Sequence, residues 1–215
     1  MLSFQDFFTA CAGLWKTERI YHSLLKGDIE RSYTEFRADA LESDQKQQIL
    51  STASPTGELA GIRLNLAQEG ISGNCPGFAI SFDTESERGE KVSMSLKALF
   101  VPDALVLTTD ERYQALALPA AAQVFTAPEG EVIQGFYLRD EGYSEAGAIA
   151  GRFTYQPTRQ TLEMTTFYNR SVAVDQMRFV APDVRMRTIV TYQRPAPGET
   201  PTVIDLIGFG VERKS

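Results

Sequence analysis

From Trp15 onward the chain is a succession of short runs rich in Val, Ile, Thr, Phe and Tyr, broken by Gly, Pro, Asn and Asp. Runs of that composition read as strands separated by turns. The connections are short, and none has the length and helical periodicity that a parallel crossover needs. Strands linked in this way run antiparallel, and many even strands with short links point to a sheet that closes on itself. The candidate strands cover 15–24, 29–36, 48–52, 59–67, 78–82, 92–100, 105–109, 113–118, 132–138, 148–155, 161–168, 176–180, 184–192 and 202–210. The stretch 118–130 reads as an irregular excursion, and 194–201, with its three prolines and a glycine, as a surface loop.

The segment before Trp15 has a different period. Phe4, Phe7, Phe8, Cys11 and Trp15 recur at spacings of three and four, one face of a helix. Ser3 followed by Asp6 has the form of an N-cap, and Gly13 marks the helix end. The expectation is an all-β fold in one domain over 1–215, with an N-terminal helix across one end or over one wall of a barrel of about eight to ten strands. A barrel of that size can enclose one small ligand.

Composition removes several function classes. The net charge is −7, with 28 acidic against 21 basic residues, which disfavours a nucleic-acid backbone as partner. No apolar run has the length of a membrane span, and the start lacks the basic and apolar regions of a signal peptide. Two cysteines, Cys11 and Cys75, make no disulfide framework, so a reducing compartment is expected. Cys11 lies on the apolar helix face, while Cys75 falls in a loop where exposure is open; neither receives a role. One histidine, His22, leaves little room for a metal site, and none is expected.

Arg185 and Arg187 carry the sharpest signal. They stand two apart in an otherwise apolar run, so a strand sends both guanidiniums to one face. On the segment alone, a solvent-exposed face is the ordinary reading. If the face is the lumen, two planar forks meet something anionic. Asp175 lies ten residues earlier, across a turn at 181–183. An odd loop places Asp175, Met177 and Phe179 with the arginines; an even loop stacks Arg178 there with no acid. The odd loop is expected. Glu212, alone a solvated terminal residue, pairs with an arginine if the last strand lies beside the Arg185 strand. Arg19 and His22 are three apart, so only a bulge would bring both to one site.

Three stretches then resemble a known family. Phe7-Phe8, Gly13, Trp15, Arg19 and His22 form the first. Leu138-Arg139-Asp140-Glu141-Gly142-Tyr143-Ser144-Glu145, followed by Ala150-Gly151-Arg152-Phe153, forms the second and most specific. Phe179-Val180-Ala181-Pro182-Asp183-Val184-Arg185-Met186-Arg187-Thr188 forms the third. Together they resemble the S/U-type phycobiliprotein lyases, the CpcS/CpeS-like bilin lyases; the match is poor from about 58 to 130.

The resemblance implies a lipocalin-like (calycin) up-and-down β-barrel that binds an open-chain tetrapyrrole, phycocyanobilin or phycoerythrobilin. It implies thioether attachment of that bilin to a cysteine of an apo-phycobiliprotein subunit. The bilin is substrate, with no permanently bound cofactor. By the resemblance the catalytic positions fall on Asp175, Arg185, Arg187 and Glu212. Arg19, His22, Ile80, Phe82, Met177 and Phe179 are expected near the ligand. Ile80 and Phe82 stand where the family has Met-x-Trp, which removes an indole. The expected location is the cyanobacterial cytoplasm or the plastid stroma. The expected assembly is a homodimer, or a heterodimer with a paralogous lyase subunit. Two other readings compete: a non-catalytic bilin carrier, and a partner subunit of a heteromeric lyase.

Overall fold

The structure, a computed structural model, describes residues 1–51, 58–59, 61–65, 71–110, 116–123, 132–140 and 149–215. It begins with α1 (Phe4–Cys11), capped by the Ser3 hydroxyl, which accepts from the Asp6 backbone N–H at 3.1 Å. Phe4, Phe7, Phe8 and Cys11 are buried, as the three-and-four spacing requires. The chain leaves the helix at Ala12 and turns at Gly13, whose φ of +124° is costly for a side chain. The Trp15 indole N–H donates to the Cys11 carbonyl at 2.8 Å, satisfying a helix-end acceptor.

Ten strands then close a barrel. They are β1 (Gly13–Ser23), β2 (Ile29–Ala40), β5 (Gly77–Ser86), β6 (Lys91–Pro102), β8 (Ile133–Arg139), β9 (Ile149–Gln156), β10 (Thr161–Phe167), β11 (Ser171–Ala181), β12 (Val184–Gln193) and β13 (Ile204–Lys214). Every neighbouring pair is antiparallel, and β13 closes on β1. This is the expected up-and-down closure, which leaves no edge strand in the barrel.

Two excursions interrupt the meander. Between β2 and β5 come α2 (Ser43–Ser51), β3 (Glu58–Leu59), β4 (Ile62–Leu64) and α3 (Ile71–Asn74). Between β6 and β8 comes β7 (Val106–Thr109), which pairs with β4 in a small separate sheet. The strand expected at 48–52 is therefore wrong: the described part belongs to α2. Its sequence, Ser43-Asp44-Gln45-Lys46-Gln47-Gln48, offers helix formers and an acidic first turn, which outweigh the short apolar end. The single strand expected over 59–67 is instead a tight hairpin of β3 and β4. The strand expected at 113–118 falls largely outside the described residues; 116–118 are not strand.

Apolar residues divide by face. The inner cluster joins α1 to the barrel interior. Phe4 stacks on Phe153 of β9 at 5.5 Å, Phe7 meets Phe179 of β11 at 5.2 Å, and Phe8 meets Phe100 of β6 at 4.6 Å. One short helix thus touches strands from all around the barrel, so α1 closes one end of it. A second cluster covers the outside of β6, β8 and β9 with residues from the β2–β5 excursion, including Leu50 and Ile62.

Candidate functional site

Above the α1 plug the barrel keeps a cavity of about 520 Å³. That lies within the usual range for small-molecule sites. One wall is apolar: Ile80 and Phe82 on β5, with Met94 and Leu96 on β6. The opposite wall carries charge from β1, β11 and β12: Arg19, Asp175 and Arg187.

Register explains the second wall. Phe179 stands opposite Arg185 and Met177 opposite Arg187, so Asp175, Met177 and Phe179 share the face of the arginines. This matches the odd-loop expectation, although the turn itself holds only Pro182 and Asp183 between the strands. Ala181 pairs with Val184, and a register shift between Phe179 and Ala181 supplies the extra residue, Val180.

The two arginines have different fates. Arg185 is 1% exposed. Its guanidinium lies 3.9 Å from the Trp15 ring centroid and 5.3 Å from that of Phe36, within reach of a cation–π interaction with both. Its Nε donates to Glu212 Oε2 at 3.0 Å, and Nη2 sits 2.7 Å from the same oxygen, too bent to count as a second hydrogen bond. Arg185 forms the cavity floor. Arg187 reaches higher, with its side chain 13% exposed. Its Nε donates to Asp175 Oδ1 at 2.8 Å and its Nη2 to Oδ2, a bidentate fork. Its Nη1 lies 3.6 Å from Glu212 Oε1.

Glu212 is wholly buried behind this layer. Arg19 Nη2 completes its shell at 3.3 Å from Oε1. Burial pushes the Glu212 carboxyl up, but Arg185, Arg187 and Arg19 together hold it below the ordinary range. The cluster therefore joins three guanidiniums to two carboxylates, Asp175 and Glu212, and carries an excess positive charge. Arg19 reaches Glu212 because Gly210 lies opposite it on β13; a Cβ there would stand 3.1 Å from Arg19 Cγ and 2.7 Å from the Glu18 carbonyl.

The remaining expected residues separate cleanly. Ile80, Phe82, Met177 and Arg19 line the cavity. Phe179 lies beneath it, packed on Phe7 and Trp15, and so supports Arg185. His22 is a correction. The β1–β13 register runs unbroken from Trp15 to Ser23, so no bulge turns His22 inward. It lies on the outer face, stacked on Phe209 at 5.9 Å. Cys75 is fully buried rather than exposed, and burial pushes its thiol up to about 12. Cys11 is buried at the cavity floor, and burial raises its thiol too.

Sequence reasoning missed Arg139 as a lumen residue. It is 7% exposed, lines the cavity from β8, and donates to the Tyr168 hydroxyl at 3.2 Å. Alternation with Tyr137, which also lines the cavity, was the available signal. Asp140 accepts from the Lys97 backbone N–H at 2.6 Å; 141–145 of the same motif lie outside the described residues. Among the described residues no group of His, Cys, Asp and Glu converges to hold a metal, and no helix is long and apolar enough to cross a membrane.

Known proteins with this pattern agree among themselves. "Chromophore lyase CpcS/CpeS 1" of Synechococcus sp. (strain JA-3-3Ab) is 36% identical over 211 residues, 98% of this chain and 96% of the relative. "Chromophore lyase CpcS/CpeS 2" of Synechocystis sp. (strain ATCC 27184 / PCC 6803 / Kazusa) is 22% identical, covering 85% of this chain and 77% of the relative. The solved S-type phycobiliprotein lyase CpeS of Guillardia theta superposes with a TM-score of 0.61 at 20% identity, over 100% of this chain and 93% of that one, so the fold is shared. The family described as CpeS-like protein matches residues 3–112 and 117–215. The chain belongs to the CpeS-like family.

Proposed function

We propose that this protein is a phycobiliprotein lyase that holds a bilin in its barrel and directs the bilin's addition to an acceptor cysteine. The observation that carries the reading is the two-sided cavity: an apolar wall facing an arginine–carboxylate wall, inside a barrel closed at one end. A bilin has the same two sides. Its conjugated rings are apolar, while its propionates and pyrrole nitrogens are polar. Family membership supports the same activity, since relatives along nearly the whole chain are named chromophore lyases.

In this reading Arg187 takes a propionate through charge-assisted hydrogen bonds. Ile80, Phe82 and Met94 take the rings. Asp175, whose side chain is 23% exposed, accepts from the pyrrole nitrogens with the lone pairs that Arg187 leaves free. Hydrogen bonds from the pyrrole nitrogens to this carboxylate favour the protonated, cationic bilin. That cation draws electrons from the ring-A ethylidene. The acceptor's thiol then adds across this double bond: sulfur bonds to the exocyclic carbon, the thiol proton ends on the tetrapyrrole, and no group leaves. The barrel's part is orientation and a single exposed face. Glu212 acts as a positioning residue, because it holds Arg187 and Arg185 from behind the cavity wall without facing the ligand, while Arg185 packs against Trp15 at the cavity floor. The acceptor is an apo-phycobiliprotein subunit, and the site of action is the cyanobacterial cytoplasm or the plastid stroma.

Asp175→Asn tests the step. The expected outcome is bilin binding within a few-fold of wild type and an attachment rate lower by about 10²-fold, the usual scale for one proton-handling group. An unchanged rate and product stereochemistry would remove Asp175 from the mechanism. A wild-type protein that colours with bilin but does not speed attachment would be a carrier instead.

A further inference from the structure

The cavity opens at the end of the barrel opposite α1. Val92 on β6 lines it and is still more than half exposed, so solvent reaches the lumen there. A second, polar hollow of about 450 Å³ adjoins the cavity through Tyr21, which borders both. Its walls are the β1–β2 tip with Lys26 and Asp28, the β5–β6 tip with Arg88, and the start of β13. The β5–β6 tip is tied to β2: the Glu87 N–H donates to the Arg31 carbonyl at 2.8 Å, and the Arg31 N–H donates to Glu87 Oε1 at 3.1 Å. The hollow is a vestibule to the ligand cavity.

Apolar side chains that no core absorbs stand around it. Leu24 and Leu25 in the β1–β2 turn, and Ile29 at the start of β2, are each about half exposed. The Leu24 N–H donates to the Asp205 carbonyl at 2.8 Å, which brings this tip against the start of β13, where Val203 is also half exposed. None of these four, nor Val92, belongs to a buried cluster. The turn itself explains only Gly27, whose φ is +73° and whose N–H donates to the Ser23 carbonyl at 2.9 Å. Turn tips ordinarily carry Asn, Asp, Ser or Gly, and nothing in this one asks for two leucines. Exposed apolar groups gathered in one place mark an interaction surface.

The reaction says what covers it. α1 plugs the other end, and the barrel wall separates the lumen from the exposed outer patch of Phe209, Val211 and Met186. A thiol from outside therefore reaches a bilin in the cavity through the mouth. We infer that the apolar rim of Leu24, Leu25, Ile29, Val92 and Val203 is the docking surface for the apo-phycobiliprotein acceptor, with the vestibule receiving the segment that carries the target cysteine. This inference rests on the lyase reading above. Docking on the rim fixes the thiol's line of approach, so the end ring of the bilin nearest the mouth is the one that is attacked.

In the test, attachment rates are followed at saturating bilin with the acceptor varied, for wild type, Leu24→Ser/Leu25→Ser, Leu24→Met/Leu25→Met and Val211→Ser. Calorimetry of each bilin-loaded protein with an acceptor that carries serine for its target cysteine reads docking without chemistry. The serine pair should raise both KM and Kd for the acceptor by about ten- to a hundredfold, the scale of two leucines lost from an interface. Its kcat at saturating acceptor, its bilin spectrum and its melting temperature should match wild type. The methionine pair, which keeps the apolar surface, should dock like wild type, and so should Val211→Ser on the outer patch. Unchanged KM and Kd for the serine pair, an equal loss of bilin binding, or a serine pair that fails to fold would each overturn the docking surface. A loss of docking in Val211→Ser equal to that of the serine pair would overturn it too. Wild type that takes up bilin yet does not speed attachment would instead refute the lyase reading itself.

Discussion

Arg185 and Arg187 show how far a residue's neighbours decide its work. Sequence spacing puts both guanidiniums on one face. It cannot say that Trp15, Phe36 and Phe179, from three other strands, enclose Arg185 and leave Arg187 to the cavity. Glu163 makes the same point on the outer face. It is 2% exposed on β10 and accepts from Thr165 Oγ1 at 2.7 Å and Thr154 Oγ1 at 3.3 Å. Burial pushes its carboxyl up from 4.5 to about 7, and the charge of Asp175 adds to the rise. A carboxyl with a raised folded-state value is stabilising while protonated, and that contribution fades as pH climbs from about 4.5 through about 7. Glu163→Gln should therefore match wild type near pH 4 and exceed it by about 3 kcal/mol at pH 8. Urea unfolding at the two pH values measures this. Parallel pH–stability curves for the two proteins would contradict it.

At the scale of elements, the period-two and period-three-to-four signals located α1 and most barrel strands. The outer additions were less legible. α2 is polar and short, so its helical pattern is weak, and β3 and β4 depend on pairing with β7, far along the chain. The β11–β12 hairpin is the instructive case. A turn of Pro182 and Asp183 alone would put Arg178 opposite Arg187, yet the bulge at Val180 restores Met177 to that place. The expected face was right, and the device that produces it was invisible in the sequence. α1 is the element on which the closed end depends. Phe7 is fully buried and touches Phe8, Tyr155 and Phe179. Phe7→Ala should cost about 3–5 kcal/mol by chemical denaturation, the range for deleting a buried ring. A loss under about 1 kcal/mol would mean that the helix rests on the barrel rather than plugging it.

At the scale of the whole molecule, the account depends on the inside of the barrel and not on its exposed apolar skin, where Phe209, Val211 and Met186 are each about half exposed. Ala173 lines the cavity, and Tyr33 stands on the outer face of β2. The most direct measurement is the absorption and induced circular dichroism of phycocyanobilin on titration with wild type, Ala173→Trp and Tyr33→Trp, each confirmed folded by its melting curve. An indole in the lumen should abolish the induced signal, while an indole on the outer face should leave it intact. An unaltered signal from folded Ala173→Trp, or its loss in Tyr33→Trp, would contradict a bilin housed within the barrel.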